Sequence, residues 1–205
     1  MKIIDNYRSL PIGKYLEILS LSKDESVDAL EQQVKTISIL TGISEEDVLD
    51  LPILEYKELA GKTTFLENEY EGKLQIAKSY GLAGYELIPV KDFTKITTAQ
   101  YVDFQTFSKE GDKFIVESLS CLLIPKGHKY NDGYDMAAIQ QAIRENLSVA
   151  DVLSLSAFFL TGFVKLIKDF RTFSVAEIKK IPNKELREKL MNQMQEIYSK
   201  TNGVG

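Results

Sequence analysis

Apolar positions recur at helical spacing along most of this chain, and one arrangement of them occurs twice. The first copy is Ile43-Ser44-Glu45-Glu46-Asp47-Val48-Leu49-Asp50-Leu51, and the second is Leu147-Ser148-Val149-Ala150-Asp151-Val152-Leu153-Ser154-Leu155. In each, a Ser stands three residues before an Asp, the pair that satisfies the free amides of a helix start, and Val and Leu come next as the expected buried face. Each copy predicts a capped short helix. The preceding stretches correspond as well: Leu10 to Ile18, opened by Pro11, aligns with Ile96 to Phe104, so that Tyr15 meets Tyr101, and Thr97 with Gln100 forms a full capping box.

Between these markers, Leu30, Val34, Ile37 and Leu40 predict a helix stopped at Thr41-Gly42, where Gly takes the left-handed cap. Ile115, Leu119 and Leu122 predict its counterpart, stopped by Pro125. Pro52 then opens a longer helix through Leu54, Leu59 and Phe65, matched by Ala157, Phe158, Leu160 and Phe163 to Phe170. The fold class expected is mainly α: two diverged helical repeat units, a central β-hairpin, and an inserted loop and helix in the second unit. The boundaries are 1–71 for the first unit, 72–91 for the hairpin connection, 92–173 for the second unit with its insertion at 125–146, and 174–205 for a C-terminal helical segment and tail.

Lys73 to Ala77 and Tyr85 to Val90 alternate apolar and polar about a Gly81-to-Gly84 turn, which predicts the hairpin. A lone hairpin is marginal in water, so it is expected to pack on the helices or to pair with a strand of another molecule. The insertion is a polar loop, Lys126 to Asp135, followed by Met136, Ile139 and Ile143 at helical spacing. Ser174 and Glu177 form a further capping box, Pro182 interrupts, and a polar helix from Glu185 to Tyr198 closes the chain before a loose tail.

Composition narrows the function classes. The 205 residues hold 44% hydrophobic and 27% charged positions, the balance of a folded domain that needs no metal or disulfide to be stable. One cysteine, Cys121, excludes an internal disulfide and a cysteine-built zinc site. No apolar run reaches the length of a membrane span, and Met1 to Asp5 does not open a signal peptide, so a cytoplasmic protein without a membrane partner is expected. The net charge of −5 offers no general attraction to nucleic acid, but it is unevenly spread. Residues 1–71 carry 15 acidic and 7 basic side chains, whereas residues 165–200 carry 9 basic and 5 acidic.

Candidate chemistry is sparse. Gly61-Lys62-Thr63-Thr64 has the ending of a phosphate-binding loop, but Tyr56 stands where the motif needs Gly and the context is helical, so a helix end capped by Gly61 is the reading. His128, the single histidine, lies near Asp132 and Asp135; the three suggest a divalent-ion loop, and a small metal-dependent enzyme is the alternative they support. Asn131-Asp132-Gly133 is more simply a tight turn. Cys121, among Leu119, Leu122 and Leu123 on a predicted helix, reads as a core residue. Glu45, Glu46, Asp47 and Asp50 suit a helix N-terminus. Phe158, Phe159, Phe163, Phe170 and Phe173 read as core. Neither a catalytic residue nor a cofactor is expected. Tyr130, Asn131, Asp132 and Tyr134, on a loop outside the duplicated scaffold, are the candidate partner-binding residues.

The run Thr36 to Leu51, with its helix end at Thr41-Gly42, polar cap and short apolar helix, followed by a helix through Tyr56 and Leu59, resembles the helical units of tail assembly chaperones of tailed bacteriophages. Thr97 to Phe104 is similar to proteins of phage structural modules. The resemblance implies a non-catalytic morphogenesis protein in the host cytoplasm, a chaperone that binds a tail or tape-measure protein or further copies of itself. A virion component of the tail or head-tail junction is the alternative from the same setting. Family members are often shorter, with one such unit, whereas this chain has two.

Overall fold

Where cap, apolar spacing and stop signal agree in the sequence, a helix forms. The computed structural model describes residues 2–109 and 114–201. Some side chains of the last two helices fall outside that description, Phe170 and Phe173 among them, as does the tail from Asn202 to Gly205. The fold is mainly helical with a small antiparallel sheet: α1 (Ile12–Ser22), α2 (Ala29–Thr41), α3 (Glu45–Leu49), α4 (Ile53–Lys62), β1 (Tyr80–Leu82), β2 (Tyr85–Pro89), α5 (Thr98–Ser108), α6 (Ile115–Ser120), β3 (Leu123–Pro125), α7 (Met136–Asn146), α8 (Val149–Lys179) and α9 (Lys184–Thr201). It divides into two compact units, Met1–Phe159 and Leu160–Gly205.

The caps sit where expected. Ser44 and Asp47 make a reciprocal capping box at α3, and Thr97 and Gln100 make one at α5. Gly42 ends α2 at φ 80°, a left-handed position that suits glycine. At the second copy the Ser148 hydroxyl accepts from the Asp151 amide at 3.1 Å and donates to the Asp151 carboxylate at 2.6 Å. The two Ser-Asp caps nevertheless start helices of very different length. α3 is a short helix ended before Pro52, but its counterpart is the opening of α8, which runs on for 31 residues. Ser156 stands where the first copy has Pro52, so nothing removes a backbone donor there. Ser174 and Glu177, expected to start a new helix, lie inside α8, which stops at Lys179 ahead of Pro182.

The buried face is narrower than the sequence suggests. Val48 and Val152 are both buried, but Leu49 and Leu153, expected beside them, face solvent. Leu30, Leu54 and Leu160 are exposed as well. The core of the first unit is built from Leu10, Ile37, Leu40, Leu59, Leu87, Leu122, Leu123, Ile139, Ile143, Leu155 and Phe159.

The hairpin is present with a different first strand. Lys73 to Ala77 forms no strand; instead the Gln75 amide donates to the Ser154 hydroxyl at 3.1 Å, which ties this segment to α8. β1 begins at Tyr80 and pairs with β2 through Tyr80–Leu87 and Leu82–Tyr85. Ala83 and Gly84 make the turn, both at positive φ, 53° and 76°, the backbone of the tight hairpin turn whose twist matches its strands. A third strand completes the sheet in the order β1-β2-β3. It comes from Leu123–Pro125, which the sequence assigned to the end of a helix. Pro125 bars the helical region to the residue before it, so the chain leaves α6 at Cys121, extends, and pairs Ile124 with Ile88. The hairpin thus finds its neighbour within its own chain.

Two substitutions separate packing from propensity. A Cβ on Gly13 would lie 2.8 Å from the Arg144 carbonyl oxygen, where α1 meets the end of α7, whereas Gly61 in α4 has open space around it. Gly13→Ala is expected to destabilise by about 1–2 kcal/mol because overpacking exceeds the helix-propensity gain, and Gly61→Ala to stabilise by up to about 1 kcal/mol; urea unfolding of both measures this. Ala83→Asn, which supplies the favoured Asn-Gly turn, is expected to raise stability by about 0.5–1 kcal/mol in the same assay.

Candidate functional site

The loop from Lys126 to Asp135 leaves β3 through Gly127, which adopts φ 85°, and is closed by two backbone turns: His128 N donates to Pro125 O at 3.0 Å, and Asp132 N to Lys129 O at 3.1 Å. Asn131 and Gly133 take positive φ, 60° and 74°. This is the tight turn that Asn-Asp-Gly predicts. Lys126 anchors its start by pairing with Glu86 of β2 at 2.7 Å.

The candidate residues separate to two sides of the loop. On one side the rings of Tyr85, His128 and Tyr134 meet edge to face, with centroids 5.9–6.4 Å apart. The Tyr134 hydroxyl accepts from the Asn131 amide at 3.4 Å. On the other side Tyr130 reaches back to its own unit, where its hydroxyl donates to Asp103 of α5 at 2.8 Å and lies 3.5 Å from the Cys121 sulfur. Asn131 and Asp132 remain exposed at the tip.

The proposed ion-binding groups do not gather. The Asp135 side chain accepts from the Ala138 amide at 3.0 Å and caps α7. His128 Nδ1 lies 3.3 Å from the Asp132 carbonyl oxygen and 3.9 Å from its carboxylate. Among the described residues, no group of three or more His, Cys, Asp or Glu side chains is placed to hold a metal ion.

Beneath Tyr130 lies a polar cluster that joins α5, α6 and α7. Gln100, a buried residue, donates to the Cys121 carbonyl at 2.7 Å while its side-chain oxygen serves the α5 capping box. Glu117 pairs with Arg144 at 2.6 Å, and Gln140 donates to Ser120 at 3.1 Å. The Cys121 thiol donates to the Glu117 carbonyl at 3.3 Å. Burial, with added repulsion from Asp103 and Glu117, pushes this thiol up to about 11, against the pull of its Tyr130 hydrogen bond. Burial, then the hydrogen bonds to Cys121 and Asp103, also raises Tyr130. Burial that holds the proton on the thiol disfavours the thiolate that nucleophilic chemistry needs.

Sequence reasoning missed a different surface. Leu49, Ile53 and Leu54 are 66%, 65% and 80% exposed at the junction of α3 and α4. Helical geometry carried the signal: at 100° per residue, Ile53 and Leu54 lie roughly 120–140° away from Leu59, so a helix that buries Leu59 turns both outward. Glu45, Glu46, Asp47 and Asp50 are exposed beside them. Gly61 lies within α4 rather than capping it; Lys62 pairs with Glu58 at 2.7 Å, and the Thr63 and Thr64 hydroxyls bond to Ala60 O and Gly61 O.

No family model, curated protein or solved structure matches the chain. No helix of the described residues is long and apolar enough to cross a membrane.

Because the folded thiol keeps its proton up to about 11, against 9.0 ordinarily, unfolding releases that proton between the two values. Cys121 thus favours the folded state below pH 9, and this contribution is lost as pH rises through about 11. Unfolding measured across that window is expected to show a steeper loss of stability for the unaltered protein than for Cys121→Ala, whose lower starting stability reflects the cavity.

Proposed function

We propose that this is a non-catalytic bacteriophage morphogenesis protein, a tail assembly chaperone that works by binding another protein. The observation that carries the reading is the exposure of Leu49, Ile53 and Leu54 within the stretch, Thr36 to Leu59, that resembles the chaperones' helical units. Single exposed apolar residues are ordinary, but three large ones within six positions form a patch of the kind that marks a binding surface. Removing each from water would contribute about 1.5–3 kcal/mol. Their sum is of the order of the rigid-body entropy lost on association, so the patch alone supports a weak and reversible contact. Reversible holding of an apolar partner until assembly is what a chaperone requires.

The placement of the three groups behind the enzyme alternative supports the binding reading: Asp135 caps a helix, Asp132 is exposed at the loop tip, and His128 faces a backbone carbonyl and two tyrosine rings.

Affinity purification from phage-producing cells tests the proposal. A tail or tape-measure protein is expected to co-purify, and Ile53→Glu/Leu54→Glu is expected to reduce its recovery at least tenfold without lowering the melting temperature, since both positions are exposed. Mass spectrometry of purified particles should then find the protein missing, as for a chaperone. Its presence at fixed copy number would make it a virion component, and recovery of no tail protein from cells or particles would refute both assembly roles.

A further inference from the structure

The α3–α4 patch has a counterpart elsewhere on the same chain. Between Ser44 and Glu58 six acidic residues face one base, Lys57, a balance of −5 around the exposed Leu49, Ile53 and Leu54. The second unit, Leu160–Gly205, carries nine Lys and Arg and five Asp and Glu, a balance of +4. It also shows an apolar side chain to solvent: Leu186, 46% exposed, stands in the first turn of α9 between Lys184, which lies 4.0 Å from Glu188, and Lys189, both lysines exposed. One surface is apolar within an acidic stretch, and the other is apolar within a unit of net positive charge. Each therefore matches the other in both components of recognition, apolar contact and opposite charge.

We propose that the α3–α4 patch is a docking surface for the basic C-terminal unit of a second copy of this chain, with Leu186 seated among Leu49, Ile53 and Leu54, and Lys184 and Lys189 directed toward Glu45, Glu46 and Asp50. The two surfaces differ and every copy carries both, so the contact is head to tail: each copy receives one neighbour and offers itself to the next. Such repetition strengthens a weak contact by linking many of them along a common partner. This deepens the binding function proposed above and rests on it for its biological purpose, but not for its test.

Sedimentation velocity of the full chain over a concentration series provides the test. Weight-average mass is expected to rise with concentration at low salt and to fall back toward the monomer at about 0.5 M salt, where exposed charges are screened. Ile53→Glu/Leu54→Glu and Lys184→Glu/Lys189→Glu should each weaken association at least tenfold. All four positions are exposed, and Ile53, Leu54 and Lys184 lie in the first turns of their helices, where Glu suits the helix dipole, so folding is expected to be retained, with circular dichroism as the check. Mixing the two variants should yield a dimer that grows no further, because one copy keeps only the patch and the other only the basic unit. A monomer at every concentration, association unaffected by either pair, or a mixture that forms no dimer overturns the proposal. So does salt-dependent compaction at constant mass, which would mean that a copy's own C-terminal unit covers the patch. Capture of a tail protein by a strictly monomeric chain would sink head-to-tail docking and leave the chaperone reading standing.

Discussion

Tyr7 to Ile12 form a backbone clasp on which the first unit depends. A helix start leaves several amides without partners, and a buried amide left so costs about 1–3 kcal/mol. α8 begins in the interior, with Val149 and Ala150 buried. Its opening amides are satisfied from far away in sequence: Val149 N donates to Leu10 O at 2.8 Å and Ala150 N to Tyr7 O at 3.2 Å, while Ser148 serves Asp151. In return Ile12 N donates to Leu147 O at 2.8 Å. Ile4 N reaches Leu40 O at the end of α2, and the Tyr7 hydroxyl donates to Asn68 O at 2.9 Å. The start of the chain thereby holds α2, α7, α8 and the turn after α4. Gly13 comes at once after it because the chain leaving this clasp passes against the Arg144 carbonyl.

This arrangement explains what was legible in the sequence and what was not. Caps and stops are local, so Ser44, Thr97, Gly42 and Asp135 act within a few residues of themselves, and three of those four were read as such from composition and spacing alone. The clasp is not local. Nothing in Leu10 or Tyr7 as residue types announces that their carbonyls will serve amides far along the chain. β3 escaped for a related reason: Leu122 to Pro125 is a short apolar run, consistent with a helix end or a buried strand until a partner strand is known. At the site, the turn of the aromatic loop is legible in Asn131-Asp132-Gly133. Its side-chain directions were not visible, because Tyr130 turns inward only through Asp103 and Cys121, residues of other elements.

The two similar segments stand in different surroundings. Both bury a Val and expose a Leu after the cap. In the second, the cap is tied to the clasp, the polar segment around Gln75 bonds to Ser154 one turn further on, and α8 continues unbroken past it. In the first, Pro52 forces a break after Leu51, and the break swings a new helix start outward with Ile53 and Leu54 upon it. The same Ser-x-x-Asp cap thus opens an enclosed long helix in one place and stands beside exposed apolar residues in the other.

The third strand also relocates the question of binding. A two-stranded hairpin lacking a neighbour would have argued for a strand supplied by another molecule. With β3 beside β2, and Leu87 and Leu123 buried, that need is met internally. The proposed binding therefore rests on exposed apolar area and on charge. Leu49, Ile53 and Leu54 supply the first and the acids around them the second, while the opposite charge lies at the far end of the sequence. Charge of opposite sign on two separate surfaces favours contacts between copies and disfavours pairing of like surfaces, because placing carboxylate against carboxylate is repulsive. The proposed head-to-tail contact follows this preference, whereas a symmetric dimer through either surface would oppose it.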